Sequence, residues 1–186
     1  MPSIDERWIA GARDSDSTVL AEIYDALSPE LYRYAYRLLG QREAAEDTLG
    51  ETFLRFLRSV QSGGGPGQHL RAYLYRILHN LAMDSYRRGI PDQDSLDSAA
   101  IMADDVDPLQ AAAENISAEQ ARSALWRLTP GQRQVILLRY FQGLSHEEIA
   151  HVVDKPVGAV KALQHRGLNA LRRTMQREYG WEIGEA

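Results

Sequence analysis

Lys161, Gln164, His165 and Arg166 crowd into one short segment that carries no helix breaker. On one helical face, side chains of these types have a specific chemistry. Lys and Arg neutralise phosphates or donate to guanine, and a Gln amide matches the edge of adenine bidentately. Ala162 shares that outward face. An ordinary solvated basic face has the same composition, so the weight falls on the residues ahead of it. A second group lies in His69–Arg88, where Tyr73, Tyr75 and Tyr86 alternate with Arg71, Arg76, Arg87 and Arg88 around a polar Asn80. Aromatic and cationic surface is what holds unstacked bases and their phosphates. Leu70, Leu74, Ile77, Leu78 and Leu81 give the same segment an apolar stripe, so one amphipathic helix can serve core and ligand together.

Other constellations fail on spacing. His146 and His151 resemble the zinc pattern H-E-x-x-H with one residue too many. Ligands sharing a helix face stand four apart, and five apart rotates them by about 140°. Glu43, Glu46, Asp47 and Glu51 form an acidic patch opposite Ala44, Leu49, Phe53, Phe56 and Leu57. Glu46 and Asp47 are neighbours in the chain and do not face each other, which removes a glycosidase-type acid/base pair. The run Ser62–Gln68, SGGGPGQ, lacks the G-K-[ST] of a phosphate-binding loop. With no cysteine, disulfides, thiolate metal sites and cysteine nucleophiles are excluded. We expect no enzyme, no metal and no cofactor.

The elements that must position these residues are helices throughout, because apolar residues recur at three- and four-residue spacing and no alternating strand is visible. The pattern predicts helices over Asp5–Ala12, Ser17–Leu39, Glu43–Ser59, His69–Arg88, Ala111–Leu128, Pro130–Gln142, Ser145–Val153 and Val157–Glu178. Ser28-Pro29 offers a second start inside the long second helix. Thr129-Pro130-Gly131-Gln132 and Ser145-His146-Glu147-Glu148 each place a capping hydroxyl three residues before a Gln or Glu. Gly143 lies between them, where a helix end favours positive φ. Ile149, Ala150, Val153, Val160 and Leu163 fall at the spacing of a core shared by the two following helices. Short helices of this kind, the last one over Val157–Glu178 basic, are what a helix-turn-helix needs to enter a DNA major groove.

The 186 residues, with 44% apolar content, can build two small cores. The net charge of −5 hides a strong segregation. Residues 122–177 carry ten Lys/Arg against three Asp/Glu, and residues 52–88 carry six against one. Between them, 89–121 holds seven acids, eight with Glu119, and no basic residue. Two basic blocks around an acidic connector suit a polyanion bound at two points, because local field steers association. Ile90–Pro108 reads as a linker and Ser62–Gln68 as a flexible loop. The expected organisation is all-α: residues 1–88, an acidic linker at 89–110, a second helical domain at 111–178, and a tail at 179–186. No apolar run approaches the roughly 20 residues of a membrane span, and no signal-peptide pattern opens the chain, so no membrane insertion and a cytoplasmic location are expected.

Taken together, AAEDTLGETFLRFL, HLRAYLYRILHNLAMDSYRR, the acidic linker and LTPGQRQVILLRYFQGLSHEEIAHVVDKPVGAVKALQHRGLNALRR resemble the extracytoplasmic-function (group 4) sigma factors of bacterial RNA polymerase. The resemblance covers roughly residues 17–177 and rests on two motifs in the right order. It implies that Asp47, Glu51, Thr52, Phe53 and Arg55 dock on the clamp helices of the core polymerase's largest subunit. The family commonly has Gln where Gly50 stands. It further implies that Ser62–Arg88 melts the upstream promoter element and captures a flipped base. Tyr73 stands where Trp is usual, and Asn80 and Asp84 coincide with the family's Asn and Asp. Tyr73, Arg76, Asn80, Asp84, Arg87 and Arg88 are thus the expected contacts to melted DNA. Lys161, Ala162, Gln164, His165 and Arg166 are those to the duplex distal element; the family often has Thr at Ala159 and Ser at Ala162. The linker would be the connector running through polymerase. Family members are often held by an anti-sigma partner. The alternative is a helix-turn-helix regulator that does not bind core polymerase as a sigma subunit. A response-regulator version would need an α/β phosphoacceptor domain, and no strand–helix alternation is visible for one.

Overall fold

The structure, a computed structural model, describes residues 4–87 and 119–180, and every regular element among them is helical. The helices are α1 (Ile4–Arg13), α2 (Ser17–Leu39), α3 (Arg42–Gln61), α4 (Leu70–Arg87), α5 (119–126), α6 (Pro130–Ile136), α7 (His146–Val153) and α8 (Val157–Tyr179). The acidic linker, Arg88 and the tail beyond Gly180 lie outside the described residues, as does the expected helix start at Ala111.

Local chemistry sets the boundaries. The Asp16 carboxylate accepts from the backbone N–H of Thr18 and Val19 and so starts α2. α2 then runs unbroken through Pro29, so the second start offered at Ser28 is not used. It ends at Gly40, φ +76°, whose N–H donates to the Tyr36 carbonyl. Glycine is required there twice, because a Cβ would also sit 2.7 Å from the Trp126 ring of α5. The segment expected as one helix over Pro130–Gln142 is α-helical only to Ile136. It widens into a π-helical turn over Leu137–Phe141, a local insertion often found near functional surface.

α3 buries a face rotated from the expected one. Ala45, Thr48, Thr52, Phe53, Phe56 and Val60 are buried, while Ala44, Leu49 and Leu57 are only half-buried. The reason lies in two threonines. Thr48 Oγ1 donates to the Ala44 carbonyl at 2.6 Å and Thr52 Oγ1 to the Thr48 carbonyl at 2.7 Å. Hydroxyls satisfied one turn back can enter a core that a polarity count would deny them.

The two halves share one core. α4 packs on α2, α3 and α7, and α2 also meets the π-helical turn. Tyr34 and Tyr75, both fully buried, meet edge to face with centroids 5.4 Å apart. Tyr34 Oη pairs with His79 Nδ1 at 3.3 Å. Across the seam, Tyr75 Oη donates to Gln142 Oε1 at 2.7 Å, and Arg71, paired with Glu30, also donates to the Gln142 carbonyl. The Arg37 guanidinium lies 4.6 Å over the Phe141 ring. Burial, and then the nearby Lys155 charge, push the His79 pKa down to about 4.

Candidate nucleic-acid interface

The helix-turn-helix is built as its sequence dictates. Thr129 and Gln132 exchange bonds between side chain and backbone, as do Ser145 and Glu148, completing both capping boxes. Gly143 has φ +68° in the turn between α6 and α7. Arg139 Nη1 donates to the Leu144 carbonyl at 2.8 Å and braces that turn. Ile149, Val153 and Val160 are buried, with Ala150 and Leu163 packed against them. Gly167 lets α8 close on α6, since a Cβ would meet Ile136 at 3.1 Å. α8 is thereby fixed with Lys161, Ala162, His165 and Arg166 exposed.

Gln164 differs from its neighbours. It is half-buried, with Nε2 donating to the Tyr140 hydroxyl at 2.9 Å and Oε1 paired with His146 Nε2. The free adenine-reading amide expected from sequence is therefore occupied at both ends. Neither partner was identifiable beforehand, because Tyr140 and His146 lie 24 and 18 positions away. His146 faces Gln164 while His151 faces Arg76 at 3.5 Å, so the two zinc-like histidines serve different neighbours.

On α4 the tyrosine–arginine alternation is largely absorbed by packing. Tyr75 is fully buried and Arg71 is committed to Glu30 and Gln142. Tyr73 is half-buried; its hydroxyl donates to Ser59 Oγ at 2.9 Å and its ring edge meets Phe56. Its first partners are thus protein atoms rather than a stacked base. Arg76 is half-buried beside His151, whereas Asn80 and Asp84 are exposed. The side chain of Arg87 and all of Arg88 lie outside the described residues. The glycine-rich loop ahead of α4 is held at two points: Arg13 donates to the Pro66 carbonyl in its middle, and Asp5 accepts from the Leu70 N–H where α4 begins. Its turns use Gly63 at φ +77° and Gly65 at φ +94°.

On α3, Asp47, Glu51 and Arg55 lie outside, with Glu51 bonded to Arg55 at 2.8 Å and its carboxyl held low mainly by that bond. Thr52 and Phe53 lie inside: Thr52 is fully buried, and Phe53 packs on Tyr24 at 4.7 Å. A docking partner can reach only the first group, because Thr52 and Phe53 are buried in the core. Leu54 and Tyr24, each 48% exposed, add apolar surface that sequence patterning did not single out. A groove of about 440 Å³ between α3 and α4 is lined by Glu43, Asp47 and Glu51 from α3 and by Leu81 and Ser85 from α4.

Comparison with known proteins follows the same division. A sigma-70 region 2 family model matches residues 23–89, and a sigma-70 region 4 model matches residues 124–173. The ECF RNA polymerase sigma factor BldN of Streptomyces coelicolor is 33% identical over 177 residues, covering 94% of this chain and 66% of BldN. The ECF RNA polymerase sigma factor SigW of Bacillus subtilis is 31% identical over 182 residues, covering 92% of this chain and 96% of SigW. Among solved structures, CnrH in complex with the cytosolic domain of CnrY has a TM-score of 0.73 at 22% identity. It covers 95% of this chain and 99% of CnrH, and its likeness is one of fold. The sigma factor RpoE of Bartonella quintana, in complex with the anti-sigma factor NepR, has a TM-score of 0.65 at 26% identity and covers 85% of this chain and 97% of RpoE.

Proposed function

The chain belongs to the ECF sigma factors of RNA polymerase, and from that premise we propose that it binds bacterial core polymerase and directs promoter-specific initiation. The observation that carries the reading is the order of two units on one chain. A region-2 helical unit with an outward acidic–apolar face on α3 is followed by two helices started by capping boxes, α6 and α7, and then by α8 with Lys161, His165 and Arg166 exposed. We assign residues 1–88 to core binding and melting, 89–110 to the connector, 111–178 to duplex reading and 179–186 to a tail. α8 anchors on the distal element through groove and phosphate contacts. The α4 surface around Arg76, Asn80 and Asp84, with the adjoining loop, then stabilises unstacked bases, an exchange of a few kcal/mol per step. Asp47, Glu51 and Arg55 meet the clamp helices. No covalent bond is made or broken by this subunit; the chemistry belongs to the polymerase, in the cytoplasm. An anti-sigma protein is the proposed regulator, as the RpoE–NepR pair suggests.

Run-off transcription with bacterial core enzyme, the full chain and a promoter library tests this. Specific initiation from a selected promoter class is expected. Intact duplex binding without initiation would overturn the sigma reading in favour of a helix-turn-helix regulator. Among the described residues, no helix is long and apolar enough to cross a membrane.

A further inference from the structure

Three consecutive residues of the π-helical turn send their side chains in three directions. Arg139 folds back to the Leu144 carbonyl, and Phe141 lies beneath the Arg37 guanidinium. Tyr140, 54% exposed, instead reaches α8 and meets Gln164. The bonding there is directional. An amide oxygen only accepts, so His146 Nε2 must donate to Gln164 Oε1. The amide nitrogen only donates, so the Tyr140 oxygen accepts from Gln164 Nε2. The tyrosine's own proton is not used in this chain of bonds. It is left on an exposed hydroxyl whose oxygen is held in place beside the basic face of α8.

We propose that the Tyr140 hydroxyl is a hydrogen-bond donor to a backbone phosphate oxygen of the duplex that α8 reads, with Gln164 and His146 as its positioning residues. The proposal rests on the duplex-reading role given to α8 above. A phosphate fits better than a base edge for two reasons. Tyrosine offers one neutral donor, whereas base recognition by Arg, Asn or Gln uses paired groups. In helix-turn-helix proteins the recognition helix reaches base edges, and elements flanking it contact the backbone. A donor whose oxygen already accepts a bond is also polarised toward giving its proton away. Gln164 thereby changes its expected role, from reading adenine to orienting a neighbour.

The test uses core polymerase reconstituted with the full chain and a labelled duplex carrying the selected distal element. Y140F should lower affinity about three- to tenfold, the scale of one net hydrogen bond. The loss should be equal on matched and base-substituted elements. A single methylphosphonate in the duplex should reproduce it with the unaltered chain and add nothing to Y140F. Because Tyr140 is exposed, Y140F should keep the parent's unfolding midpoint. Q164A, which keeps the tyrosine but frees its hydroxyl, should lose less affinity than Y140F. A silent Y140F, a loss confined to the matched element, or a larger loss in Q164A overturns the proposal. A holoenzyme with unaltered Tyr140 that cannot tell matched from substituted elements instead overturns the reading of α8, and takes the inference with it.

Discussion

The hydroxyl of Tyr75 donates to Gln142 Oε1 at 2.7 Å, joining residues 67 positions apart, both buried. This bond, with the Arg71 bond to the Gln142 carbonyl, ties the helix assigned to melting to the turn that carries the helix-turn-helix. The amide nitrogen of Gln142 has no hydrogen-bond partner among the described residues, so its oxygen's bond carries more of the side chain's burial cost.

Tyr75→Phe strands Gln142 Oε1 inside the seam and should lower unfolding free energy by about 1–3 kcal/mol. Tyr75→Phe combined with Gln142→Leu should cost less than the two single changes added together, because the pair loses its polar groups jointly. Urea denaturation of all four proteins measures the coupling; strictly additive losses would mean that the bond does not hold the seam.

His79 gives the fold a pH dependence. Its pKa is lowered to about 4 by burial and by Lys155, against about 6.5 in an unfolded chain. The neutral ring is what the fold accepts, so its contribution is complete above the unfolded value. That contribution is lost as pH falls from about 6.5 toward 4, up to about 3 kcal/mol in all. His79→Gln should flatten that part of the stability–pH curve, read by thermal unfolding between pH 7 and the acid limb. An unchanged slope would place the titration elsewhere.

Lys161→Ala and Arg166→Ala remove exposed cations from α8 while leaving its buried face intact. Each should weaken distal-element binding and, where a phosphate contact is lost, reduce the log–log salt slope by about 1. Core polymerase binding should stay as in the parent chain, measured by co-elution with core enzyme. Loss of polymerase binding instead would contradict the division of labour between α3 and α8.

Two glycines make opposite predictions. Gly50 sits in the interior of α3 with nothing within 4 Å of a built Cβ. Gly50→Ala should therefore stabilise the protein by about 1 kcal/mol through helix propensity alone. At Gly11 the same Cβ would stand 2.6 Å from Val19 Cγ2. Gly11→Ala should destabilise by about 1–3 kcal/mol from overpacking. Differential scanning calorimetry distinguishes them by the sign of the melting shift.

Most helices, both capping boxes, the turn glycine and the exposed cations of α8 were legible in the sequence, whereas the π-helical turn at Leu137–Phe141 was not. Each legible feature depends on residues within about one helical turn of one another, where spacing maps directly onto geometry. The buried face of α3 differs from its apolar stripe because it includes Thr48 and Thr52, which are polar by type. Their hydroxyls are satisfied by carbonyls four residues back, which only the folded helix reveals.

Sequence by itself determined an all-helical chain with capped helices leading into a basic one, and a cationic, aromatic helix before an acidic segment. Tertiary structure decided which of those side chains remain outside. Tyr75 and Arg71 became seam, Tyr73 was tied to Ser59, and Gln164 was taken up by Tyr140 and His146. The physical reason is one of range. Periodicity and capping are local, whereas a buried hydroxyl or amide takes whatever partner packing brings to it, and here those partners lie 14 to 71 positions away.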